Sequence, residues 1–310
     1  MDKKASSAGF AYLFLTFFLW GSVYVAGKLG SAGISPLLLA ALRCTLAVPV
    51  LLFMARGCRG TRIERGDRKY FFAVGVLGYY LTIVLIQLGI HLTGASVAAL
   101  INSLTPVSIM LLAALLLGEQ ITPVKLVCLA LAVTGTVIVA GGAQGRGETL
   151  GILAALLSTV SFGCASVFVR RLTAKYPPVF VTACGMAVSL IFHLPTGVIA
   201  ALRQPPRIDA PGVLSVLYLA VAGSGIAQFT WAKALSRFPA GTCSLFYPLQ
   251  AVFSALIGAA LLRERFAPAF FLGLAVVAAD VALSVWETSR EAKRAAADKA
   301  ASPQTSNDKE

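Results

Sequence analysis

Apolar residues fall along this chain in long blocks broken by short polar connections. Ten blocks reach roughly spanning length: 9–29, 36–55, 70–92, 95–117, 123–140, 150–172, 178–201, 212–235, 240–262 and 267–287. A helix rises about 1.5 Å per residue, so about 20 residues cross the roughly 30 Å hydrocarbon core of a bilayer. The pattern predicts an all-α membrane protein with ten transmembrane helices. Only Thr93 and Gly94 part the third and fourth blocks, and a few residues around Pro239 part the eighth and ninth. Turns that tight force antiparallel neighbours. The first block is too long for a signal-peptide core and lacks a clear small-residue cleavage site, so it is expected to stay as the first span. After residue 287 charges interrupt an Ala-rich run, which predicts a short helical extension fading into a polar tail over 288–310.

Composition agrees with the bilayer as solvent. Of 310 residues 58% are hydrophobic and 13% charged, against about a quarter charged in an ordinary soluble domain. The net charge of +13 would suggest nucleic acid in a soluble protein, but here it follows the topology. With the N-terminus in the cytoplasm and ten alternating spans, 19 Lys and Arg fall on the cytoplasmic side and six on the other, with Arg43 inside the second span. This bias places both termini in the cytoplasm and argues against a nucleic-acid partner. Cys44, Cys128, Cys164, Cys184 and Cys243 lie in apolar blocks and Cys58 in a basic loop, none at metal-ligand spacing, so they read as packing residues. No Ser/His/Asp set, His-Glu-x-x-His motif or phosphate-binding glycine loop is present, so no catalytic residue, metal or cofactor is expected.

The chain also repeats itself. At an offset of 145, Gly78 falls on Gly223, Ala95 on Ala240, Leu100 on Leu245, Glu119 on Glu264 and Pro123 on Pro268. Nearer the start the offset is 142, with Gly9 on Gly151, Gly21 on Gly163, Val25 on Val167 and Pro36 on Pro178. The expected units are a first repeat over 1–140, a connecting loop over 141–149, a second repeat over 150–287 and the tail. Five spans per copy make the second enter the membrane from the opposite side, so the expectation is two inverted five-helix repeats. That architecture suits alternating access about a central site.

The first copy reads Trp20-Gly21-Ser22-Val23-Tyr24-Val25-Ala26-Gly27-Lys28, then Pro36, Ala40-Ala41 and Arg43. Later come Ala95-Ser96, Leu104-Thr105-Pro106 and Leu116-Leu117-Gly118-Glu119 before Pro123. This resembles the drug/metabolite transporter superfamily, specifically its ten-helix EamA-type members. The second copy carries the weaker Phe162-Gly163, Ala240-Gly241 and Leu261-Leu262-Arg263-Glu264. The resemblance implies export of amino acids, related metabolites or toxic compounds across the bacterial inner membrane, through a cavity lined by the first, third, fourth, sixth, eighth and ninth spans. The copies depart at Pro106/Ala251, where Pro248 lies a turn earlier, and at Gly135/Asp280.

Polar and aromatic side chains inside spans are the candidate substrate contacts. Tyr80, Gln87 and His91 share one helical face of the third span, with Tyr79 beside it. Ser224, Gln228 and Trp231 share one face of the eighth. Asn102 and Tyr247 are repeat equivalents, as are Trp20 with Phe162 and Tyr24 with Ser166. Amide and hydroxyl groups would orient a polar or zwitterionic small molecule while rings stack on its apolar part. Aromatic residues there favour bulky hydrophobic amino acids. The competing reading for each residue is an ordinary interhelical hydrogen bond. Three groups could instead supply coupling or structural charge: Asp280, Arg43 and His91. Embedded charges need a partner or water. Arg43 and Asp280 differ in depth by about 10 Å at helical rise, so a direct pair between them is not expected. Asp280 has a second reading as a proton-coupling carboxylate.

Overall fold

A computed structural model describes residues 3–58, 60–102, 104–124 and 146–262, with isolated positions between 126 and 134 and between 275 and 290. The described residues are helical and carry no strand. Seven helices among them are long and apolar enough to cross a membrane. They are α1 (Ala8–Gly30), α2 (Pro36–Cys58), α3 (Arg65–Thr93), α6 (Thr149–Leu172), α7 (Pro178–Arg203), α8 (Ala210–Leu235) and α9 (Ala240–Leu261). The fourth expected block is not one helix: it divides into α4 (Ala95–Asn102) and α5 (Thr105–Leu117). A proline takes the first turn of α5, where its missing N–H costs nothing. In α9 the corresponding break ends at Pro248, itself the first residue of the helix that follows. Most of the fifth and tenth expected spans, with Asp280, lie outside the described residues.

The outer surface is apolar. Phe14, Phe53, Leu115, Leu157, Ile191 and Leu202 are all exposed, an arrangement that water would penalise and lipid accepts. Inside, glycines let helix backbones approach closely, the usual basis of helix association in membranes. Six of these approaches form three pairs whose partners exchange halves. Gly21 meets Phe253 while Gly163 meets Ser108; Gly223 meets Val23 while Gly78 meets Ala165; Gly9 meets Phe238 while Gly151 meets Thr93. The offsets of 142 and 145 carry each contact onto its mate. The same offset joins two π-helical segments, Val74–Leu81 within α3 and Leu219–Ile226 within α8.

One end of the bundle is clasped. Gly118 adopts a left-handed conformation (φ +67°), ends α5 and turns the chain. Glu119 then accepts the backbone N–H groups of Ala240 and Gly241, each at 3.0 Å, at the start of α9. A carboxylate is favoured there because the first N–H groups of a helix lack internal partners. At the same end Asp67 accepts from Lys175 Nζ at 3.1 Å and from the Tyr176 hydroxyl at 3.0 Å. Lys175 also donates to Glu64 at 3.2 Å, and these hydrogen bonds, that to Asp67 first, hold its ammonium above the ordinary lysine range.

Candidate functional site

The central feature is a cluster of five rings from α1, α6, α8 and the break in α9. Trp20 lies 5.4 Å from Phe162, 5.5 Å from Trp231 and 5.9 Å from Tyr247, centroid to centroid. Phe17 completes the cluster, 5.0 Å from Tyr247. The Trp231 indole N–H donates to Ser166 Oγ at 3.3 Å, which gives a buried polar group its partner.

A cavity with about 490 Å³ of atom-free space opens beside these rings. Its walls are Trp20, Val23 and Tyr24 from α1, Arg43 from α2, Thr82, Ile83, Ile86 and Ile90 from α3, and Asn102 from α4. Phe162, Gln228, Tyr247 and Gln250 close it. Asn102 Nδ2 donates to the Tyr24 hydroxyl at 2.6 Å, tying α4 to α1 across one wall. Arg43 is the one charged side chain on the walls among the described residues. Across Phe162 and Gln228 lies a smaller cavity of about 180 Å³, lined also by Val74, Gly78, Tyr79, Ala165, Ser166, Val169 and Trp231. Phe162, Ala165 and Ser166 are the repeat equivalents of Trp20, Val23 and Tyr24. The two cavities therefore carry equivalent residues in their walls, one the larger and one the smaller.

Tyr79 packs against Gly185 at the smaller cavity, and a Cβ on Gly185 would come within 2.7 Å of its ring. The equivalents of this pair are Ser224 and Arg43, which meet by a hydrogen bond from Arg43 Nε to Ser224 Oγ at 2.8 Å.

Of the residues singled out from sequence, Trp20, Tyr24, Asn102, Phe162, Gln228, Tyr247 and Arg43 line the larger cavity, and Trp231 and Tyr79 line the smaller. Tyr80, Gln87 and His91 do not face either. Tyr80 packs against Phe192 and His193 of α7, at 5.3 and 5.0 Å. Gln87 is fully buried and donates to Gly27 O and Ser31 Oγ of the α1 end, at 3.4 and 3.0 Å. His91 is exposed beside Arg207 in a surface recess. Gln87 and His91 stand in the regular α-helical stretch Thr82–Thr93 near the far end of α3, where the end of α1 takes the first and a surface recess the second. Gln250 and Thr82 were not foreseen, although a glutamine two residues after Pro248 in an apolar block is a readable signal.

The family model of the EamA-like transporter family matches the chain twice, over residues 7–141 and 149–286. The chain belongs to this family. It is thus a multi-pass membrane transporter with a duplicated EamA unit. An uncharacterized transporter of Archaeoglobus fulgidus is 28% identical over 81% of this chain and 89% of its own length. A probable terminal-alkyne amino-acid exporter of Streptantibioticus cattleyicolor is 28% identical over 78% of this chain and 82% of its own. A probable amino-acid metabolite efflux pump of Escherichia coli is 25% identical over 86% and 91%. A solved crystal structure shares the fold with a TM-score of 0.72 at 22% identity, covering 90% of this EamA-like chain and 98% of the other.

Proposed function

We propose that this EamA-like protein exports small organic solutes, amino acids or related metabolites, by alternating access of two inverted five-helix halves in the bacterial inner membrane. The observation that carries this reading is the pair of cavities with repeat-equivalent residues in their walls, one of about 490 Å³ and one of about 180 Å³. If the halves exchange conformations, the smaller cavity opens and the larger one closes. The exchanged glycine contacts support a two-fold relation between halves, and the matched breaks and π segments give each half the same joints. The charge bias supports cytoplasmic termini, which puts the Glu119 clasp at the cytoplasmic end and leaves the roomy cavity on the other side of the ring cluster. The names of two relatives support amino-acid export.

The test is flux in liposomes holding the purified protein, across a panel of amino acids and drugs. The expected result is saturable flux of a bulky apolar amino acid. Trp20→Ala and Trp231→Ala should each lower it about ten-fold or more, since each removes several aromatic contacts of about 0.5–1.5 kcal/mol. Saturable flux running only inward would replace export with uptake, and no flux for the whole panel would sink the carrier reading.

A further inference from the structure

We propose that Arg43 binds a free carboxylate on the transported solute, which makes the larger cavity selective for carboxylate-bearing solutes. This rests on the reading above that the cavity is the transport site.

Arg43 is 3% exposed on a membrane-spanning helix, where a charge is costly unless it is answered. Among the described residues it has no carboxylate partner. A guanidinium carries five N–H donors, and the hydrogen bond to Ser224 uses the one on Nε. Its seat is shaped for it: a Cβ on Gly223 would come within 2.8 Å of Nη2. Packing the helices does not need this charge. At the equivalent crossing in the other half the protein uses Gly185 against Tyr79, with no ion at all. Of two equivalent crossings, the cation stands at the one that walls the larger cavity.

Two further buried groups on that wall lack partners: Gln250 Nε2 and Gln228 Oε1, in side chains 1% and 5% exposed. Buried polar atoms are ordinarily satisfied. A carboxylate can accept from Arg43 and from the Gln250 amide, and a solute ammonium can donate to Gln228. The solute carboxylate matches the guanidinium charge, and the ammonium of an amino acid meets the neutral amide oxygen of Gln228. Guanidinium suits the pairing because it can meet both carboxylate oxygens. The rings of Trp20, Phe162 and Tyr247 then meet the apolar remainder of the solute.

The test compares phenylalanine and leucine with their primary amides, as substrates and competitors, using the full chain in liposomes. Buffered at about pH 6, below the α-amino range, the amides keep the ammonium and the apolar body and lose only the carboxylate charge. In the native protein the acids should be carried at least about ten-fold faster than the amides, the discrimination expected when a site built for a charged hydrogen bond loses it. Arg43→Gln should bring that ratio close to one, and Arg43→Lys should keep part of it, each with unfolding temperature measured in detergent. If Arg43→Gln does not fold, Gln250→Leu takes its place and should lower the ratio. Equal flux of acids and amides in the native protein overturns the proposal while leaving a carrier. An acid-to-amide ratio that survives Arg43→Gln in folded protein, or Gln250→Leu, also overturns it. No saturable flux of either form overturns the carrier reading and this proposal with it.

Discussion

Replacing Gly21 by leucine is expected to cost the protein its packed state, and Gly163→Leu to do the same from the other half. A Cβ at residue 21 would lie 2.6 Å from Phe253 Cβ, 2.8 Å from the Gln250 carbonyl oxygen and 3.1 Å from the Ser254 nitrogen. At residue 163 it would lie 2.7 Å from Ser108 Cβ and 3.2 to 3.3 Å from the backbone of Ser108 and Ile109. Backbone cannot rotate aside, so α1 must part from α9 and α6 from α5. Membrane helices associate through close packing, and parting them removes what holds them. Overpacking by even small groups costs about 1–3 kcal/mol, and leucine adds a whole branched side chain. Thermal unfolding in detergent should show both variants lowered by at least about 5 °C, or not recoverable as dispersed protein. Gly57 and Gly66 have nothing within 4 Å, so leucine there should leave the midpoint in place. Equal losses at residues 21 and 163 would follow from the exchanged contacts. A tolerated Gly163→Leu beside a ruinous Gly21→Leu would count against them.

The second large effect is expected at Glu119. Its carboxylate answers two N–H groups at the start of α9, both at 3.0 Å. Glu119→Ala leaves those donors without that acceptor. Charge-assisted hydrogen bonds contribute about 1.5–3 kcal/mol each, and even one such loss shifts a two-state balance more than ten-fold. In a carrier that alternates, the state closed at this end should lose population. A cysteine at residue 228, in protein otherwise free of cysteine, should then react faster with a polar thiol reagent supplied from the Glu119 side. Glu119→Gln retains one acceptor oxygen and should fall between. Unchanged labelling in Glu119→Ala would mean that the clasp does not govern that end.

The spans and the duplication were legible because they are carried by many residues at once. Twenty apolar positions in a row need no exact phase, and offsets of 142 and 145 align glycines whose structural reason is contact between halves. The ring cluster was legible for a related reason: Trp20 and Phe162 are repeat equivalents, and their rings meet at 5.4 Å. What failed depended on tertiary neighbours. Tyr80 and Gln87 sit seven residues apart on one helix, but α7 takes Tyr80 and the end of α1 takes Gln87. Arg43 stood out as a charge in need of a partner, yet its hydrogen-bond partner is the hydroxyl of Ser224, 181 positions away, beyond any pattern of spacing.

The central claim is that transport requires the clasped end to open. Glu64 and Lys175 meet across that end at 3.2 Å with both side chains more than half exposed, so a reagent can reach cysteines placed there. The decisive measurement is flux through a Glu64→Cys, Lys175→Cys protein, with Cys44, Cys58, Cys128, Cys164, Cys184 and Cys243 replaced, before and after joining the pair with a short cleavable bifunctional thiol reagent. Alternating access predicts that flux collapses when the pair is joined and returns when the link is cut. Flux that continues unchanged through fully joined protein would contradict it.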